Sequence, residues 1–77
     1  MIDLSVIEAE LRGGHPQRDI RLKISRNTDE VHVLDGLNVA ARIHGAAILV
    51  TPKRKLVEMF KEELAWADQL REKAGAA

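Results

Sequence analysis

The three histidines, His15, His32 and His44, are the side chains whose chemistry is easiest to name, because imidazole binds metal ions and transfers protons near neutral pH. Their spacing supports neither role. No two of them are four residues apart, as two metal ligands on one helix face would be, and the chain has no cysteine to complete a zinc site. The sequence therefore predicts no metal ligands, and nothing in it indicates a cofactor.

Motifs for nucleophilic catalysis and phosphate binding are equally weak. Ser5 is placed to cap a helix and Ser25 lies beside a predicted turn, so neither serine has a defined histidine partner. Gly13-Gly14 and Gly36 are typical of a helix stop and a turn, not of a phosphate-binding loop. A chain of 77 residues also has little material with which to wall a pocket. We predict a protein that is not an enzyme and has no catalytic residues.

Lys53-Arg54-Lys55 is a short basic cluster that could bind an anion. It follows Thr51-Pro52, a typical helix start, and so falls in a first helical turn. The helix dipole disfavours cations there, whereas the free backbone N–H groups of the turn would favour a phosphate or a partner's carboxylate. The sequence leaves two interpretations open, an anion site and a basic turn that points into water.

Further cations are expected on the outward face of an antiparallel sheet, where Arg21, Lys23 and Arg42 alternate with apolar residues. With Lys53-Arg54-Lys55 they are the candidate contacts to nucleic acid. Two observations weaken this use: lysine plus arginine equal aspartate plus glutamate at twelve each, and no aromatic residue is expected on that face to stack bases. A solvated polar face and docking of an acidic protein are the other interpretations.

Met59, Trp66 and Leu70 are the candidate contacts to a protein partner. The uninterrupted helix predicted here is about 33 Å long at 1.5 Å per residue, whereas a six-residue strand spans about 20 Å. Its apolar residues cover nearly half of the circumference, more than one sheet needs. Either all of these apolar residues belong to the core, with Trp66 folded over the first helix, or the side of the helix that carries Met59, Trp66 and Leu70 faces a partner. We favour the partner, because a chain short of core gains most from self-association.

The elements that position these residues follow from the spacing of the apolar positions. The predicted elements are a helix at about 4–12, strands at about 18–26, 30–34, 37–43 and 46–51, and a helix at about 52–73. The predicted fold class is therefore α+β, with a short N-terminal helix, a four-stranded antiparallel β-meander and a long C-terminal helix packed on one sheet face, in a single domain of residues 1–77.

The hairpin registers decide which side chains face the core. A four-residue loop at 26–29 pairs Ser25 with Glu30, so that the apolar residues of the first two strands meet one another. In the second hairpin a three-residue loop at 34–36 is preferred over a two-residue turn at Asp35-Gly36, because the latter buries His32. The expected inward residues are Val31, Val33, Leu37, Val39, Ala41, Ile43, Ala46, Ile48 and Val50, and the outward ones are His32, opposite Asn38, with Ala40, Arg42, His44 and Leu49.

These features together give a hypothesis for function. We expect a small non-enzymatic protein-binding module, homodimeric through the long helix, that acts as an adaptor, inhibitor or regulator; its size also fits a protein encoded by a phage or mobile element. The alternative is a small dimeric nucleic-acid-binding regulator. The N-terminus is acidic where a secretory signal is basic, and no apolar run approaches the ~18 residues of a membrane span, so we expect a cytoplasmic protein with no membrane contact and no small-molecule substrate.

Overall fold

Helices cover one face of a three-stranded antiparallel sheet in the computed structural model, which describes residues 4–76. In chain order the elements are α1 (Leu4–Gly14), β1 (Ile20–Ser25), β2 (Glu30–Asp35), β3 (Asn38–His44), α2 (Gly45–Val50) and α3 (Lys53–Ala76). The sheet order is β1-β2-β3; α1 contacts β1 and α3, and α3 contacts β3. The predicted α+β class, N-terminal helix and long C-terminal helix are confirmed, but the sheet has three strands and not four.

The segment predicted as a fourth strand, 46–51, was assigned wrongly, because it forms the short helix α2. His44 caps this helix: its Nδ1 accepts a hydrogen bond from the backbone N–H of Ala46 at 3.1 Å. Gly45 begins the helix and two alanines follow it, and alanine has the highest helix propensity. Only Ile48 of the segment is buried, and Val50, which was expected to face inward, is exposed. Local capping and propensity therefore outweigh the alternating pattern.

The first hairpin has the predicted register. Ser25 pairs with Glu30 and Leu22 pairs with Val33, so the loop between β1 and β2 has the expected four residues. The loop ends at Asp29, whose φ of 52° lies in the left-handed region that aspartate tolerates better than most residues. The alternation of apolar and polar residues was sufficient to predict this register because the pairing of β1 with β2 contains no bulge.

The turn of the second hairpin differs from both turns considered from the sequence. Asp35 pairs with Asn38, which leaves Gly36 and Leu37 as a two-residue connection. Gly36 has a φ of 63°, a conformation that glycine adopts without a steric penalty. Leu37, which was predicted to face the core, lies at the tip of this turn and is fully exposed. A turn residue was therefore mistaken for the first residue of the next strand.

A β-bulge in β3 explains the other errors in this hairpin. Val33 pairs with Ala41 but the next residue of β2 pairs with Val39, so Ala40 is the extra residue. Ala40, expected to face outward, is buried, and Val39, expected to face inward, is 39% exposed. The extra residue shifts the alternation by one position, and after it Ala41 and Ile43 face the core as predicted.

One row of side chains on α3 closes the core over the sheet. Leu56, Phe60 and Leu64 are spaced by four residues, so they lie on one face of the helix, and each is at most 4% exposed. The other residues of the buried cluster are Ile7 and Leu11 of α1, Ile20, Val31, Val33, Ala40, Ala41 and Ile43 of the sheet, and Ile48 of α2. The helices α1 and α3 therefore pack on the same sheet face, and the opposite face carries polar side chains together with Leu34 and Val39.

The outer edge of β1 is closed by side chains of α1. The backbone N–H of Leu22 donates to Glu8 Oε1 at 3.0 Å, and Arg12 Nε donates to the C=O of Ile20 at 2.8 Å. These two bonds replace those that a neighbouring strand would make. They leave the edge less available for pairing with another chain.

The outer edge of β3 is obstructed in a different way. The bulge bends the strand, the Arg42 side chain on the edge is exposed, and Arg71 Nη1 of α3 donates to the C=O of Ala40 at 2.6 Å. Bulges and charged residues on an edge strand both disfavour the addition of another strand. Neither edge of this sheet is therefore a good place for a partner to bind.

We predict that Leu64→Ala lowers the free energy of unfolding by about 2–5 kcal/mol, because the leucine is fully buried and its removal leaves a cavity. The matched control is Leu70→Ala on the same helix, where the side chain is 46% exposed and the loss should stay below about 1 kcal/mol. Urea unfolding in dilute solution measures both. Equal losses in the two variants would show that α3 packs on the sheet through a different face.

Candidate protein-contact surface

Met59, Trp66 and Leu70, here called the α3 flank, form a line along one side of α3. Their spacings of seven and four residues place them within about 40° of one another at 100° per residue. Met59 is half-buried against the core, whereas Trp66 is 59% exposed and Leu70 is 46% exposed. The indole is therefore not folded away over α1, which was the alternative that the sequence had left open.

The α3 flank lies beside the core contact and not opposite to it. On the same wheel it is about 100° from the row of Leu56, Phe60 and Leu64. Asp68, on the other side of that row, contacts Arg18 just before β1. The flank therefore faces away from β1, towards the side of the molecule where β3 and α2 lie.

The short helix α2 extends the apolar surface next to Met59. Thr51, which follows α2, joins the two elements, since its hydroxyl donates to the C=O of Ala47 at 2.6 Å and lies 3.3 Å from the Met59 sulfur. Leu49 and Val50 of α2 are 83% and 82% exposed. Sequence reasoning missed this extension because it placed both residues in a strand. The capping histidine before two alanines was the signal that could have identified the helix.

The outward sheet face brings together the three cations predicted there. Lys23 pairs with His32, and His32 pairs with Arg42, so the side chains of Lys23, His32 and Arg42 form a row across the sheet. Arg21 lies in the neighbouring row. His32 faces outward as predicted, although its partner on β3 is Arg42 and not Asn38. The row gives this face a positive strip.

Glu30 is the carboxylate nearest to this row. His32 Nε2 lies 3.4 Å from Glu30 Oε1. The pKa of the Glu30 carboxyl is lowered, first by a hydrogen bond from the Thr28 side chain and further by His32 and Arg42. The carboxylate is therefore charged at neutral pH and offsets part of the positive strip.

Lys53, Arg54 and Lys55 do not join the cations of the outward face. All three are exposed in the first turn of α3, and α3 packs on the inner face of the sheet. Within residues 4–76 none of them forms an ion pair. The two basic groups named from the sequence are thus separate surfaces on opposite sides of the sheet.

A polar cluster that the sequence did not predict ties the far half of α3 to the sheet. Arg18 donates to Asp35 Oδ2 and to Asp68 Oδ2, both at 2.8 Å, and Arg71 also donates to Asp68. These residues line an open pocket of about 280 Å³ together with residues at the start of β3. Two guanidinium groups and two carboxylates balance one another, so the pocket offers no unpaired charge to a ligand. No local pattern signals a contact between residues 50 positions apart.

The charges of this cluster hold one another ionised. The hydrogen bond to Asp68 raises the pKa of the Arg18 guanidinium. Burial acts to raise the pKa of Asp68, but the hydrogen bonds and charges of Arg18 and Arg71 outweigh burial, and the pKa is lowered. The cluster is a structural contact that fixes where α3 lies on the sheet.

Two further kinds of feature were sought among the described residues. Among residues 4–76 there is no group of three histidine, cysteine, aspartate or glutamate side chains that could hold a metal ion. No helix in the same range combines the length and the apolar character needed to cross a bilayer. Comparisons with protein-family models, with curated proteins and with solved structures find no match to this chain.

The lowered pKa of Asp68 predicts a pH dependence. A carboxylate whose pKa is lower in the folded state stabilises the fold above its unfolded pKa, and this stabilisation is lost as the pH falls through the folded value. Between about pH 6 and about pH 2 the wild-type chain should therefore lose more unfolding free energy than Asp68→Asn. Urea unfolding at each pH measures the difference. Parallel curves for the two proteins would contradict the assignment of Asp68.

Proposed function

We propose that this chain is a non-enzymatic protein-binding module that acts as an adaptor, inhibitor or regulator by covering a partner's surface. The contact surface is the α3 flank with the exposed residues of α2. The observation that carries the proposal is the exposure of Trp66 beside Leu70 on a helix whose core row is already buried. A cytoplasmic location is part of the same proposal.

The composition of the flank is that of an interface centre. Tryptophan and methionine are enriched in the buried centres of protein interfaces, and tryptophan is among the residues whose truncation costs most binding energy, often above about 2 kcal/mol. Met59 is already anchored by the core, so it lies at the inner margin of the surface. Trp66 and Leu70 both expose large apolar side chains, so covering them removes apolar area from water.

The other surfaces give weaker support to any function. The sheet edges are closed by Glu8 and Arg12 on one side and by the bulge and Arg71 on the other. The polar pocket around Arg18 is internally neutralised. Four of the eight large apolar side chains that are exposed among residues 4–76 belong to the flank and α2, namely Leu49, Val50, Trp66 and Leu70.

Site-specific photocrosslinking tests this proposal. A photoreactive phenylalanine analogue replaces Trp66 in one variant and Val6 in another, since Val6 is 54% exposed on α1 and lies off the proposed surface. In cells that produce the chain, position 66 should give discrete adducts with polypeptides and position 6 should not. Mass spectrometry identifies the adducts.

Competition provides the control for this experiment. Excess wild-type chain should suppress the adducts at position 66, and Leu70→Asp should not, because it places a charge on the surface. Leu37→Asp, at the exposed tip of the β2–β3 turn, is the matched control and should compete as well as wild type. Equal adduct yields at positions 66 and 6, or equal competition by both aspartate variants, would refute the proposal.

A second candidate function is binding of nucleic acid by the outward sheet face. It is favoured by one observation, the row formed by Lys23, His32 and Arg42 with Arg21 beside it. Phosphate contacts supply most of the affinity in such binding and make it depend steeply on salt. The absence of aromatic residues from this face, in the part of the chain that the structure describes, weighs against readout of single-stranded bases.

For this second candidate we predict that Lys23→Glu with Arg42→Glu abolishes retention on nucleic acid, whereas Lys53→Glu with Lys55→Glu does not, because the two clusters are separate surfaces. Affinity should also fall by about 0.9 log units per contacted phosphate for each tenfold rise in salt. Filter binding across a salt series measures both effects. Retention that is unchanged by the first pair of substitutions removes this function.

A further inference from the structure

The exposed side of α3 has the residue spacing of a helix that pairs with another helix. Met59, Glu63, Trp66, Leu70 and Lys73 follow one another at intervals of four, three, four and three residues, which is the spacing of a coiled-coil seam. On an ideal wheel they lie within about 80°. This seam is distinct from the row that α3 uses to contact its own sheet.

The two charged positions of the seam lie at opposite ends of its apolar centre. Glu63 is half-buried and Lys73 is exposed. Neither forms an ion pair with any residue in the described range 4–76. An acid at one end and a base at the other is the arrangement expected of a surface that meets a reversed copy of itself.

An antiparallel pair of α3 helices centred on residue 68 brings four of the five seam residues opposite one another, and Met59 lies outside these pairs. Trp66 then faces Leu70 of the partner subunit, and Glu63 faces the partner's Lys73, because both pairs are centred on residue 68. Twofold symmetry repeats each contact, which gives two aromatic–aliphatic contacts and two ion pairs. The arrangement is self-complementary without any change of conformation.

A parallel arrangement lacks this complementarity. It would place Glu63 against the partner's Glu63 and Lys73 against the partner's Lys73, and like charges in direct opposition are unfavourable. The seam is also accessible, since Asp68 and its contact with Arg18 lie on the other side of α3. A second copy can therefore approach from the side of β3 and α2.

We infer that the partner of the α3 flank is a second copy of this chain, bound through antiparallel α3 helices centred on Asp68. This inference rests on the proposed function and names its partner. A contact limited to one helix side and α2 is smaller than a standard interface, so the dimer should be reversible, with a Kd on the order of micromolar.

Sedimentation equilibrium over a range of chain concentrations tests the inference. The mass should rise from 8.6 kDa for the chain towards twice that value. Glu63→Lys and Lys73→Glu should each weaken self-association by about tenfold, because each turns two attractive contacts into repulsive ones, and the double variant should restore it. Glu72→Lys makes the same charge change on an exposed position outside the seam and should leave the Kd unchanged.

Pulsed electron paramagnetic resonance tests the orientation. The chain has no cysteine, so Lys55→Cys gives a single attachment point for a spin label at the start of α3. In the antiparallel dimer the two labels are separated by about 39 Å along the helix axis. In a parallel dimer they are separated by roughly the 8–10 Å between helix axes, plus the length of the label.

The results of these experiments distinguish failure of the dimer from failure of the proposed protein-binding function. A chain that stays at 8.6 kDa at all concentrations, an equal effect of Glu63→Lys and Glu72→Lys, or a short distance between labels overturns the inference. If the chain is monomeric while position 66 still crosslinks another polypeptide, the inference fails and the proposed function stands. If positions 66 and 6 crosslink alike, the proposed function fails as well.

Discussion

The contact of Leu56, Phe60 and Leu64 with the inner sheet face is the interaction on which the rest of this structure depends. These residues are at most 4% exposed, and they meet residues of all three strands and of α1 in one buried cluster. Because a helix is rigid, fixing this row also fixes the direction of every other side chain on α3. The placement of Asp68 towards β1 and of Trp66 away from it follows from that single contact.

A sheet of three strands sets the limit on what α3 can bury. The helix has 24 residues, but only the row facing the sheet and α1 is covered. A fourth strand beyond β3 would have widened the apolar floor under Met59 and its neighbours, and the chain forms α2 there instead. The three-stranded sheet leaves the α3 flank uncovered, and α2 adds Leu49 and Val50 to the uncovered surface.

The sequence predicted those parts of the fold whose causes are local or periodic. The first hairpin was predicted in register because β1 and β2 alternate without interruption, and α3 was predicted because no glycine or proline breaks it before its last turn. The bulge at Ala40 could not be found by counting alternate residues, since it changes the count. The helix α2 was missed because six residues with alternating apolar positions fit both a strand and a short helix.

The candidate surface likewise has one part that the sequence predicts and one part that it does not. The line of Met59, Trp66 and Leu70 is visible in the sequence as helical spacing, and its position beside the core row is simple geometry. The contact of Arg18 with Asp68 depends on tertiary packing between distant segments, so no sequence pattern reveals it. That contact nevertheless matters to the surface, because it occupies one side of α3 and leaves the other side open.

The fluorescence of Trp66 gives the most direct measurement of whether the α3 flank becomes covered, because it is the only tryptophan in the chain. We predict that its emission maximum moves to shorter wavelength as the chain concentration rises, since the indole passes from water into an apolar contact, and that Glu63→Lys suppresses this change. An emission maximum typical of indole in water at every concentration would contradict it.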